Sequence, residues 1–130
     1  MIRGIDHVAI TVADLDAICA FYERVLGARV EETYEIGGRI AVKRVAFGQA
    51  ILNIHQQGNG VDLVARQPTP GSVDICFRWH GGIDAARALL ESRGVTVIEG
   101  PVARTSADGI TGSSVYFRDP DGNLVELLGT

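Results

Sequence analysis

Four side chains, His7, His55, Asp74 and Glu126, combine two imidazoles with two carboxylates. Such donors suit Fe(II), Mn(II), Ni(II), Co(II) or Zn(II). His7 lies in residues 5–12, where Val8, Ile10 and Val12 alternate with His7, Ala9 and Thr11. That period of two makes a half-buried strand with its polar residues on one side. Glu126 alternates with Val125 and Leu127 near the other end of the chain, and a carboxylate with apolar neighbours needs a partner. For His7 alone, a hydrogen-bonded core imidazole is the competing reading. The cysteines, Cys19 and Cys76, have no CxxC spacing. They read as buried reduced thiols and argue against a finger-type zinc.

The elements that must position these residues follow from the same periodicities. After the first strand, Asp14 is placed to cap a helix whose apolar stripe is Leu15, Ile18, Cys19, Tyr22, Val25 and Leu26, with Gly27 ending it. Strands are expected near 28–35, 39–47 and 50–56, divided by Gly37-Gly38 and Gly48-Gln49. Residues 58–70, rich in glycine and proline, read as a linker. The order then recurs. A strand at 72–79 leads to a helix at 83–93 stopped by Gly94, then to strands near 95–98, 113–118 and 123–128.

A constant offset of 67 carries Gly27 onto Gly94, Val8-Ala9-Ile10 onto Ile75-Cys76-Phe77, and His7 onto Asp74. The chain therefore reads as an internal repeat of β-α-β-β-β order. Aligning the final strands of the two halves sets Asn53 against Glu126, with His55 one step further along the same face. The stretch 99–112 has no counterpart of similar length and is expected to be a mobile loop over a site. No lysine or arginine is assigned beside Asp74 and Glu126, so a cation is expected between them.

Length and charge set the outer limits. A chain of 130 residues with 46% hydrophobic and 22% charged content suits one globular domain. Its apolar runs are too short to span a bilayer, and its first residues lack the pattern of a secretory signal, so a cytoplasmic protein is expected. A formal net charge of −4 disfavours nucleic acid as a partner.

Gly4-Ile5-Asp6-His7-Val8-Ala9-Ile10-Thr11-Val12-Ala13-Asp14-Leu15, followed by Phe21-Tyr22 and Val25-Leu26-Gly27, resembles the opening of the vicinal oxygen chelate superfamily. That superfamily includes glyoxalases, bleomycin-resistance proteins and extradiol dioxygenases. Val115-Tyr116-Phe117-Arg118-Asp119-Pro120-Asp121-Gly122-Asn123-Leu124-Val125-Glu126-Leu127 resembles its closing hairpin. Leu52-Asn53-Ile54-His55 is similar to a glyoxalase-like, virulence-associated bacterial branch.

The resemblance implies an α+β fold. Two βαβββ modules, 1–57 and 71–130, would form a curved, cup-shaped mixed sheet with the helices outside, as one domain over 1–130 and commonly as a homodimer. His7 would match the first-strand histidine and Glu126 the last-strand glutamate of a divalent-metal site. Asp74 stands where the family usually has histidine, and Asn53 where it often has glutamate. His55 would restore a two-histidine, one-carboxylate set if its strand curved inward, and Asp74 would be a fourth ligand or would orient one. The implied activity is that of a metal-dependent glyoxalase-like lyase or isomerase. Its small substrate would chelate the metal through adjacent oxygens, with Glu126 or Asp74 as the base. An extradiol-type dioxygenase, a thiol transferase of the fosfomycin-resistance kind and a metal-free antibiotic-binding protein are the alternatives.

Gly58-Asn59-Gly60 lacks the context of a dinucleotide fingerprint and reads as a turn. His80-Gly81-Gly82 has no accompanying nucleophile elbow.

Overall fold

Alternating strands and a single-striped helix build the same arrangement twice. The computed structural model describes all residues, Met1–Thr130, in two units, Met1–Gly71 and Ser72–Thr130.

In the first unit β1 (Val8–Val12), α1 (Leu15–Leu26), β2 (Arg29–Ile36), β3 (Arg39–Phe47) and β4 (Ala50–Gln56) form a four-stranded sheet of order β1-β4-β3-β2 with one helix. β1 runs parallel to β4, and the other pairs are antiparallel. Val12, Ile18, Val25, Val45 and Ile54 are fully buried, each contributing about 1.5–3 kcal/mol of transfer free energy. The start of α1 is secured twice. Asp14 accepts from the Ala17 amide at 3.0 Å. Gln56 accepts from the Leu15 amide at 2.8 Å and donates to the Ala13 carbonyl at 2.7 Å, tying β4 to the helix. Gly27 closes α1 at φ 66°, where a side chain would be strained.

In the second unit β5 (Asp74–Trp79), α2 (Ile83–Ser92), β6 (Glu99–Thr105), β7 (Thr111–Arg118) and β8 (Leu124–Gly129) repeat that order, with sheet order β5-β8-β7-β6. The register repeats as well: Ala9 lies opposite Asn53 in the first unit, and Cys76 lies opposite Glu126 in the second. The α+β fold with two βαβββ modules is thus present. No helix is long and apolar enough to cross a membrane.

Three sequence expectations change. The strand expected at 95–98 lies instead at 99–105, inside the stretch read as a mobile loop. Gly100 and Pro101 suggested a loop, but β6 is an edge strand, where proline is tolerated. Gly100 is required there, because a Cβ would come within 2.2 Å of the Ser114 carbonyl oxygen. The remaining connection is a short turn in which the Ser106 amide donates to the Ile110 carbonyl at 2.8 Å. Cys19 is buried as expected, whereas Cys76 is exposed, since strand alternation puts it on the polar face of β5. The third change concerns charge and appears at the site.

Candidate functional site

The turn Asp119-Pro120-Asp121-Gly122-Asn123 determines where Glu126 falls. Asp119 and Asn123 are only 5% and 1% exposed, so their polar atoms must be paired within the protein. Asp119 Oδ1 accepts from the amides of Asp121 and Asn123, each at 3.0 Å, and Oδ2 accepts from Asn123 Nδ2 at 2.8 Å. Asn123 Oδ1 in turn accepts from the Val73 amide at 2.9 Å, one residue before β5. The turn therefore locks β8 against β5, and Glu126 arrives opposite Cys76.

Alternation sends Val125 and Leu127 into the core beneath α2, and Asp74, Cys76, Arg78, Ser114, Tyr116 and Glu126 to the other face of the sheet. Asp74 lies opposite Leu124, two residues from Glu126 along the ladder. Ser114 is fully buried, and its hydroxyl donates to Glu126 Oε1 at 2.5 Å. Arg104 Nε donates to the Tyr116 hydroxyl at 2.8 Å. Two cavities flank the carboxylate. One of about 310 Å³ is lined by Cys76, Arg78, Arg104, Ser106 and Glu126 among others, and one of about 340 Å³ by Asp74, Glu99, Arg104, Tyr116 and Glu126 among others. Both fall in the size range of small-ligand sites.

The charge expectation is corrected here. Arg104 lines both cavities beside Glu126, and Arg78 lines one, so a bound cation is not needed to relieve repulsion. Arg104 was not found from sequence because it lies in the stretch read as a loop. Burial and the neighbouring Glu126 carboxylate push the Cys76 thiol up to about 11, so Cys76 offers no thiolate at neutral pH. Burial also raises the Tyr116 hydroxyl, with Glu126 adding to the shift and Arg104 opposing it.

In the first unit, His7 immediately precedes β1, and its Nδ1 lies 2.7 Å from Asp6 Oδ1. A carboxylate there accepts a hydrogen bond from Nδ1–H and so leaves the Nε2 lone pair free in the neutral ring, the tautomer a metal-binding histidine needs. The sequence did not single out Asp6 for this role.

His55 is held in the opposite state. It lies opposite Thr11, four residues along from His7, a separation of about 13 Å at strand rise. Asn59 Nδ2 faces its Nδ1 at 3.2 Å. The register and the ring state do not join His55 to His7 as a ligand pair. Asn53 lies between them, opposite Ala9, with a buried Oδ1 that has no hydrogen-bond partner. No group of three or more His, Cys, Asp or Glu side chains is arranged to hold a metal ion.

Comparison with known proteins adds the family. Residues 4–127 match the Glyoxalase/Bleomycin resistance protein/Dioxygenase superfamily. The chain belongs to this superfamily. It is 43% identical over 126 residues to the glyoxalase domain-containing protein RDO1 of Mycosarcoma maydis, covering 97% of this chain and 68% of the relative. It is 39% identical over 127 residues to virulence protein STM3117 of Salmonella typhimurium, covering 98% and 84%. Among solved structures, integron cassette protein VCH_CASS1 from the mobile metagenome of V. cholerae matches with a TM-score of 0.85 at 40% identity, over 99% of this chain and 96% of that one. A more distant superfamily structure is a mutant of the fosfomycin resistance protein FosX from Listeria monocytogenes complexed with Mn(II). It matches with a TM-score of 0.66 at 25% identity, over 100% and 93%.

Proposed function

We propose that this superfamily member is a divalent-metal-dependent lyase or isomerase acting on a small substrate with two adjacent oxygens. The observation that carries the reading is Glu126, a half-buried carboxylate oriented by Ser114 and shared by two cavities. The donor types fit a borderline cation: the Nε2 lone pair of His7 and the carboxylate of Glu126, with Asp74 in the wall of a cavity it shares with Glu126. Cys76, protonated at neutral pH, does not compete. Water and the substrate's own oxygens would complete the shell.

When bound, the cation supplies Lewis-acid stabilisation for the substrate's developing negative charge. His7 and Glu126 are assigned as its ligands. Asp74, which lines a cavity with Glu126, is assigned as the base that removes a proton alpha to a carbonyl. Arg104, at the edge of both cavities, orients an anionic oxygen of the substrate.

The test is calorimetric titration of the apo-protein with Mn(II), Fe(II), Co(II), Ni(II) and Zn(II), repeated on His7→Ala and Glu126→Gln. Stoichiometric binding lost in both variants, with the fold retained by circular dichroism, supports the reading. Undiminished binding in the variants, or none in the parent, overturns it. The second case favours a metal-free binding protein, a reading that draws on Arg78 and Arg104 beside Glu126, since these already supply the site with positive charge.

A further inference from the structure

The cavity beside His55 lies within the first unit and contains none of His7, Asp74 and Glu126. It has a volume of about 300 Å³, with Thr11, His55, Asn59, Val61, Val64 and Pro68 in its wall. Its floor is built by the turn after β4. Gly58 and Gly60 adopt φ of 71° and 84°, which turns the chain back and presents Asn59 to the sheet.

The orientation of the Asn59 amide follows from its backbone partners. Nδ2 donates to the Ala41 carbonyl at 2.9 Å, and Oδ1 accepts from the Val61 amide at 3.0 Å. The group facing His55 Nδ1 at 3.2 Å is therefore a second N–H of Nδ2, so Nδ1 must accept. The proton of the neutral ring resides on Nε2, which has no protein partner. Thr11 lies directly opposite His55 in the parallel ladder, and its hydroxyl is likewise unpaired. Gln56, beside them, is already spent at both ends on the start of α1.

We propose that His55 Nε2–H and the Thr11 hydroxyl form a subsite for the neutral carbonyl oxygen, amide or ketone, of a small molecule whose compact apolar part rests on Val61, Val64 and Pro68. An obligate donor, Nε2–H, beside a hydroxyl that can rotate to donate suits an acceptor oxygen. The wall contains no Asp, Glu, Lys or Arg, so nothing in it compensates the desolvation of a carboxylate or an ammonium. A neutral carbonyl satisfies both donors without that penalty. This subsite goes beyond the metal reading and does not depend on it.

The experiment uses the full chain labelled with ¹⁵N. Isobutyramide is the neutral probe and isobutyrate its anionic counterpart, followed through the amide shifts of Gly58, Gly60 and Val61 and the ring nitrogens of His55. The expected result is a neutral ring protonated at Nε2. Isobutyramide should shift these amides saturably and bind about tenfold more tightly than isobutyrate. His55→Phe, which keeps a flat ring, should weaken isobutyramide about tenfold, and Thr11→Val should weaken it severalfold with the rest of the spectrum unchanged. Thr11→Val provides the reading should His55→Phe fail to fold. A ring protonated at Nδ1, a preference for isobutyrate, shifts that never saturate, or undiminished binding in the folded variants overturns the proposal. Loss of metal binding in Thr11→Val does so too, by placing the pair in the metal chemistry instead.

Discussion

Ser114 and Glu126 meet diagonally across the β7–β8 ladder: the hydroxyl donates to Oε1 at 2.5 Å, although the residue directly opposite Glu126 is Tyr116. The bond fixes one carboxylate oxygen, and Cys76 and Tyr116 also come within hydrogen-bonding reach of the carboxylate. Ser114→Ala removes a fully buried donor to a charged group and should cost about 2 kcal/mol of stability, read from urea denaturation. Any metal affinity should fall with it. An unchanged denaturation midpoint would show that the carboxylate does not depend on this donor.

Asp119 carries the turn that places Glu126. Replacing it by Ala strands two backbone amides and the Asn123 side chain in a buried environment. The expected loss is about 3 kcal/mol in chemical denaturation. A loss under about 1 kcal/mol would contradict the assigned role.

His55 predicts a pH dependence. Burial lowers its pKa from the usual 6.5, so between that value and the lower folded value the unfolded chain binds a proton that the folded chain does not. Stability contributed by the neutral ring is present above 6.5, declines as pH falls through it, and levels off below the folded pKa. His55→Phe should lose less stability than the parent between pH 7.5 and 5.5, in urea midpoints. A greater loss in the variant reverses the sign and rejects the account.

Cys76 is exposed yet should be slow to react, because burial of the sulfur and the Glu126 charge hold its pKa at about 11. Only roughly 0.1% is thiolate at pH 8. Alkylation by iodoacetamide, followed by mass spectrometry, should accelerate steeply toward pH 11. Glu126→Gln removes the charge and should speed the reaction at pH 8. Rapid alkylation of the parent at pH 8 would show that Glu126 does not suppress the thiolate.

Ile2, Ile5 and Leu63 are 92%, 84% and 96% exposed. β2 is also an edge strand of its sheet, and a two-fold homodimer would cover an edge and exposed apolar side chains with one self-complementary patch used twice. Sedimentation velocity at micromolar concentration should give the mass of a dimer, and a single monomeric species there would exclude it.

Local pattern alone determined much of this protein. The alternation at Val8–Val12, the stripe from Leu15 to Leu26 and the glycines after both helices are short-range signals, because side-chain direction in a strand or helix depends only on position along it. The offset of 67 exposed the repeat for the same reason, and the Asp-Pro-Asp-Gly-Asn turn marked the strand that carries Glu126. The equivalence of Asn53 and Glu126 was legible in the same way, since Asn53 falls opposite Ala9 as Glu126 falls opposite Cys76. What edge pairing decides was not. Arg104 reaches Tyr116 only through the edge pairing of β6 with β7, in a segment whose glycine and proline disguise a strand. The His55 tautomer depends on an amide four residues away whose orientation is set by carbonyl and amide groups on either side of it. A hydrogen-bond direction of that kind is a property of several chain segments at once, and it exists only once they are folded together.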